Sequence, residues 1–219
     1  MRPALPLPEA DLLWTKAIEL DAAVAPSWSN RGTVRLQAGR WAEAAADLEE
    51  AARLEERQRG RVDPVVLNNL GNARGAQGRW GDAIGAYTEA AESPDPEMSA
   101  IALANLALAR FQSGDGAEAV RLARLLLRRD EGFLDSRAAL AAFLWGTGDR
   151  PGAESEWEAL QQALDGLGGE LYSRSTARGR VAGRWPPRPQ AALDAFLRLS
   201  AEGEAVGYAG ERLSFRFPE

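Results

Sequence analysis

The sequence predicts an all-α protein, a stack of about four and a half antiparallel helical hairpins followed by a C-terminal capping helix and an extended tail. Three observations predict it. The glycines Gly39, Gly78, Gly114 and Gly148 recur at steps of 39, 36 and 34 residues, which is the period of a helical hairpin. Each is followed by a residue of variable bulk and then an alanine: Trp41/Ala44, Trp80/Ala83, Gly116/Ala119 and Arg150/Ala153. Each is preceded at similar spacing by a small residue, Gly32, Gly71, Ala107 or Ala141, and the first three of these follow Asn30, Asn69 and Asn105 by two positions.

The elements follow in order. Residues 1–8 form a Pro-rich leader without the apolar core of a signal peptide. Residues 9–22 place Ala10, Trp14 and Ala17 in the register of Ala44, Leu48 and Ala51, and of Ala83, Tyr87 and Ala90, so they form the second helix of a hairpin that lacks its first. Complete repeats then span about 25–58, 64–94, 100–131 and 134–164, making 9–164 the repeat region. Asp63-Pro64 and Asp95-Pro96 pair a capping carboxylate with proline at the first helical position. The recurrent glycines sit where a helix stops and reverses. Packing sets Gly32 against Ala44 and Gly71 against Ala83, so that paired helices approach closely. The longer first step reflects an insertion at Arg57 to Val62.

Residues 165–219 begin with a Gly-rich helix stop. From Leu171 to Leu193 there are five arginines, Arg174, Arg178, Arg180, Arg184 and Arg188, and no acidic residue. Trp185-Pro186-Pro187 forbids helix, and a short amphipathic helix from about Gln190 to Leu199, apolar at Leu193, Phe196, Leu197 and Leu199, caps the stack. The alternating Leu213 to Phe217 tail lies extended.

Length and composition predict one folding unit of a soluble protein, 45% apolar and 26% charged. With 26 basic against 32 acidic residues the net charge is −6, the reverse of a nucleic-acid binder. No run approaches the roughly 18 apolar residues of a membrane span. Cys and His are absent, which removes disulfides, thiolate nucleophiles, imidazole bases and nearly every structural zinc site. The carboxylates Glu43, Asp47, Glu49 and Glu50 fall on second helices and form a solvated face. The expectation is a non-catalytic protein with no cofactor and no metal site.

In stacked hairpins the first helices line the inner face and the second helices face outward. The positions left free on first helices are Ser29, Asn30 and Thr33; Asn68, Asn69 and Asn72; Asn105, Leu108 and Phe111; and Ala138, Ala142 and Trp145. A row of asparagines both donates and accepts, so it can bond an extended peptide backbone of any sequence. Leu108, Phe111 and Trp145 would take apolar anchors. A second docking surface is formed by Arg174, Arg178, Arg180, Arg184 and Trp185, with Phe215 and Phe217 of the tail, facing an acidic protein surface or anionic head groups.

The repeat residues resemble the tetratricopeptide repeat. Trp28, Gly32, Gly39, Trp41, Ala44, Leu48 and Ala51 fill one copy of its pattern; Leu67, Leu70, Gly71, Gly78, Trp80, Ala83, Tyr87 and Ala90 fill the next. The third copy departs at Ala107, Gly116 and Ala123, and the fourth at Arg137 and Arg150, recovering Trp157. The resemblance covers Glu9 to Leu164 and implies an α-solenoid that holds a protein partner, an extended peptide or a subunit surface. The carboxylate clamp of the chaperone-type repeat is missing, since Ser29, Thr33, Asn69, Ile101 and Asn105 stand at its positions.

A narrower likeness runs through Trp28 to Gly32, Arg137 to Leu140 with Trp145, Ala153 to Trp157, and Arg184-Trp185-Pro186-Pro187 with Ala192 to Asp194 and Phe196-Leu197. These stretches resemble tetratricopeptide proteins of cyanobacteria and plastids. That likeness implies a chloroplast, thylakoid-associated setting, peripheral contact with a membrane complex and a part in assembling a photosynthetic complex. The alternative is a permanently bound linker subunit of a large, photosystem-type complex. A transit peptide is not in this chain, so a plastid location implies a mature fragment, and the cytoplasm is the alternative.

Overall fold

The computed structural model describes residues 6–165 and 176–207, and every regular element among them is a helix. The chain divides into two compact units, Met1–Asp130 and Glu131–Glu219, where composition predicts one. The first unit holds α1 (Leu7–Leu20), α2 (Ala25–Gln37), α3 (Trp41–Arg59), α4 (Pro64–Ala76), α5 (Trp80–Ala90), α6 (Pro96–Gln112) and α7 (Gly116–Arg129). The second holds α8 (Leu134–Thr147), α9 (Arg150–Asp165), the single turn α10 (Ala177–Val181) and α11 (Pro187–Gly207). These are the predicted half hairpin, the four hairpins α2/α3, α4/α5, α6/α7 and α8/α9, and the capping helix.

Local chemistry sets the boundaries. The Asp63 carboxylate accepts from Val65 N at 2.8 Å, and Asp95 accepts from Glu97 N at 2.9 Å, each just ahead of a proline in the first helical turn. Pro8 is accommodated in the same way, so α1 starts at Leu7, inside the expected leader. Pro187 likewise opens α11 instead of excluding it, because a helix's first residue has no intrahelical partner for its N–H. Between paired helices the chain reverses through left-handed glycines, with φ of 75° at Gly78 and 95° at Gly148.

The insertion after the first repeat is absorbed as extra helix. α3 runs to Arg59, Gln58 Nε2 donates to Ala23 O at 2.8 Å, and the Glu55 carboxylate accepts from Asp63 N at 2.8 Å. The extended end is therefore tied to the loops on either side of its hairpin.

In the first unit each helix packs on the next, and the first helices α2, α4 and α6 also lie side by side. Ala44, Ala45, Leu48, Ala51, Val66, Leu70 and Ala73 form one continuous buried cluster across α3 and α4. Each fully buried leucine contributes about 1.5–3 kcal/mol. Gly71 meets the Tyr87 ring rather than Ala83, and a Cβ there would lie 2.5 Å from it. Gly32 likewise meets Leu48 and Asp47 rather than Ala44. Long helical side chains lean toward the N-terminal end of their own helix, which carries the bulky residue, not the alanine, over the glycine.

A polar cluster holds the half repeat. Arg31 donates to both carboxylate oxygens of Asp47, at 2.9 and 2.8 Å, and Arg35 donates to Asp47 at 2.9 Å and to Asp11 on α1 at 2.8 Å. Arg40 also reaches Asp11, at 3.1 Å, and the Arg31 guanidinium stacks over the Trp28 ring. Asp47 is 2% exposed, so it leaves the solvated carboxylate face that the sequence predicts. Burial acts to raise the Asp11 pKa, but hydrogen bonds from Arg35 and Arg40 and their charges outweigh it and hold the carboxyl below its ordinary value.

In the second unit α11 packs along α8 and buries Leu193, Phe196 and Leu197. Phe196 meets Trp145 and Trp157 edge-on, with ring centroids 5.4 and 5.5 Å apart.

A candidate protein-binding face

The first helices of the first unit bring the predicted asparagines into one row, and the row is partly spent on the chain itself. Asn69 Nδ2 donates to Thr33 Oγ1 at 3.3 Å, and Asn105 Nδ2 donates to Asn68 Oδ1 at 2.9 Å. Each asparagine thus stitches its helix to the first helix of the preceding repeat. Thr33 Oγ1 in turn donates to Ser29 O at 2.9 Å, and Asn72 Oδ1 accepts from the Tyr87 hydroxyl at 2.8 Å. Burial pushes the Tyr87 phenol pKa well above its ordinary value, so the hydroxyl stays a donor.

Thr33, Asn69, Asn72, Asn105 and Leu108 are half-buried, and Asn30 is exposed, its side-chain amide without a hydrogen bond among the described residues. An amide that uses one N–H keeps its second N–H, and in Asn69 and Asn105 its carbonyl, for an incoming backbone. Beside the amides stand Val65 and Ile101, 49% and 38% exposed. Each lies six residues before the small residue of its helix, Gly71 or Ala107, so the two are equivalent positions on α4 and α6. Pro26 is exposed at the same position of α2. The sequence reading missed this apolar row, although the shared offset could have revealed it.

Several predicted contacts are corrected. Phe111 is 2% exposed and belongs to the core, so it leaves the groove. On α8, Ala138 and Ala142 are fully buried, and Trp145 is half-buried against Phe196 with the Arg150 guanidinium 4.4 Å above its ring. The helix α11 fills the space in which Trp145 was expected to anchor a guest.

The arginine surface is also occupied. Arg180 and Arg184 both donate to the Asp135 carboxylate on α8, the former at 3.4 Å, and Trp185 is 6% exposed, accepting at its carbonyl from Gln190. These residues fasten the segment before α11 to the last hairpin. Arg174, Phe215, Phe217 and the side chain of Arg178 lie outside the described residues.

Residues 23–95 match the tetratricopeptide repeat family. No curated protein matches the sequence. Among solved structures, MamA aligns with a TM-score of 0.66 at 17% identity, over 74% of this chain and 90% of its own. YrrB, described as a TPR protein with an unusual peptide-binding site, aligns at 0.58 and 16% identity, over 91% of this chain and 98% of its own. BtubC (BKLC) from P. vanneervenii aligns at 0.60 and 15% identity, over 97% and 94%. The fold is that of a tetratricopeptide-repeat protein.

Proposed function

We infer that the chain is a protein-binding scaffold whose inner face in the first unit takes an extended segment of a partner. The observation that carries this is the row of exposed Val65 and Ile101 beside the amides of Asn30, Asn69 and Asn105 and the side chain of Leu108. Apolar side chains of a guest would sit on Val65, Ile101 and Leu108, while its backbone bonds the remaining amide groups. The peptide-binding site described for YrrB gives the same fold a precedent. This reading assigns the chain no reaction.

Selection from a random peptide display library tests it. Enriched peptides should carry spaced apolar residues, and their binding should fall at least about tenfold in Val65→Asp/Ile101→Asp, a loss of roughly 1.4 kcal/mol or more. Equal binding by that variant would remove the inner face from the reading. The setting of the partner rests on the resemblance through Arg184-Trp185-Pro186-Pro187 to cyanobacterial and plastid proteins. On that reading the chain supports assembly of a thylakoid complex, and fractionation of the source cells should recover it with thylakoid membranes. Recovery in the cytoplasm would overturn that setting, and constant stoichiometry through a high-salt wash would make the chain a permanent linker subunit instead of an assembly factor.

A further inference from the structure

The inner face of the first unit is a ladder with one rung per repeat. Pro26, Val65 and Ile101 stand at one register of α2, α4 and α6, and Asn30, Asn69 and Asn105 lie four residues on, one turn further along the same helical face. The three helices lie side by side, joined directly by the Asn69–Thr33 and Asn105–Asn68 hydrogen bonds. Helices in such contact have axes about 8–10 Å apart. A guest that crosses them therefore meets the same two groups, one apolar and one amide, once in every interval of that length.

The interval selects the guest's backbone. A polyproline II segment advances about 9 Å in three residues and returns there to the same face, so every third side chain and every third carbonyl meets an equivalent rung. A β-strand returns to the same face about every 7 Å, and three residues along, where it has covered the interval, its side chain points away. An α-helix covers about 10 Å in seven residues, but its carbonyls are used internally and leave the amides nothing to bond. The amides need only acceptors. The second N–H of Asn69 and of Asn105 and the exposed amide of Asn30 can donate, and polyproline II carbonyls are all free. Charge narrows the guest further: neither these six residues nor Thr33, Asn72 and Leu108 beside them carries a charge. An ionised guest side chain set against them would lose water without gaining a partner.

Resting on the proposed protein-binding role of the inner face, we propose that its guest is a polyproline II segment of a partner protein with an uncharged, apolar residue at every third position. The apolar residues sit on Val65 and Ile101, with the next on Pro26, and the residues between them face solvent. Proline at those intervening positions holds the free guest in the bound conformation and so reduces the ordering cost of binding.

The test titrates the full chain with three dye-labelled peptides that each hold four leucines, read by fluorescence anisotropy. One repeats Leu-Pro-Pro, one has the same composition with the threefold spacing broken, and one alternates Leu and Thr as a strand would. The Leu-Pro-Pro repeat should bind at least about tenfold more tightly than either of the others. Val65→Asp/Ile101→Asp should weaken it by at least about tenfold, and Asn30→Ala, at an exposed position, by about two- to fivefold. Circular dichroism verifies that both variants are folded. Equal binding of the two proline peptides, or tighter binding of the alternating one, overturns the proposal. If that binding is still lost in Val65→Asp/Ile101→Asp, the inner face remains the binding surface and only the guest's conformation and spacing fall. Binding of the Leu-Pro-Pro repeat that Val65→Asp/Ile101→Asp leaves unchanged removes the inner face together with the proposal. No binding of that repeat up to the order of 1 mM overturns the proposal alone, since display selection judges the inner face separately.

Discussion

Asp47 shows how a single charged residue decides the packing of a repeat. It sits in a row with Glu43, Glu49 and Glu50, and in sequence all four look solvated. The contrary signal was on the partner helix: Arg31 stands where the other copies have Leu70, Leu106 and Leu140, and a charge at an apolar register position requires a buried counter-charge. Asp47→Ala leaves the Arg31 guanidinium buried and unpaired, and should cost about 3–5 kcal/mol in chemical denaturation. Arg31→Leu/Asp47→Leu removes both charges and should recover most of that loss. Close approach is decided residue by residue as well. Gly71→Ala drives a methyl into the Tyr87 ring, 2.5 Å away, and should destabilise by about 1–3 kcal/mol in the same measurement. Neither the Gly71–Tyr87 contact nor the burial of Phe111 was legible in the sequence, because register places a residue on a face without saying which way its side chain leans.

Helix order was legible in the sequence, from the recurrent glycines and the Asp-Pro caps, and it is correct from α2 to α9. Boundaries next to proline were not, since the same residue both breaks a helix and begins one; Pro8 and Pro187 each begin one. At this scale α1 is held partly by carboxylate chemistry. Asp11 has a pKa below its ordinary value in the folded chain, so its contribution to docking α1 is complete above pH about 4. It is lost as pH falls through the lowered folded value. Hydrogen exchange, corrected for intrinsic rates, should therefore show α1 opening before α4 as pH is taken from 6 toward 3. Asp11→Asn should make α1 exchange faster already at pH 6 and flatten that dependence. The capping helix depends on a ring contact instead: Phe196→Ala leaves a void between Trp145 and Trp157 and should cost the second unit about 3–5 kcal/mol, read by denaturation.

For the molecule as a whole, charge and face assign different parts to its surfaces. The arginine-rich segment looked like an electrostatic docking site because no acid lies near it in sequence, but Asp135, some fifty positions away on α8, takes both Arg180 and Arg184. Sequence proximity was the wrong measure of charge compensation in a chain that folds back on its last hairpin. Arg124, Arg128 and Arg129, on the exposed side of α7, have no carboxylate partner among the described residues. The inner-face row is built from Pro26, Asn30, Val65, Asn69, Ile101, Asn105 and Leu108, none of them charged. Two binding modes thus differ in their salt response. Association through the uncharged row involves no ion pair to screen, so affinity for a selected peptide should change by less than about twofold between 50 and 500 mM salt, a range over which the Debye length shrinks severalfold. Titration calorimetry of one peptide at both salt concentrations measures this directly. An affinity that falls steeply with salt, and that is lost in Arg124→Ala/Arg128→Ala, would move the partner from the inner face to the outer arginines of α7.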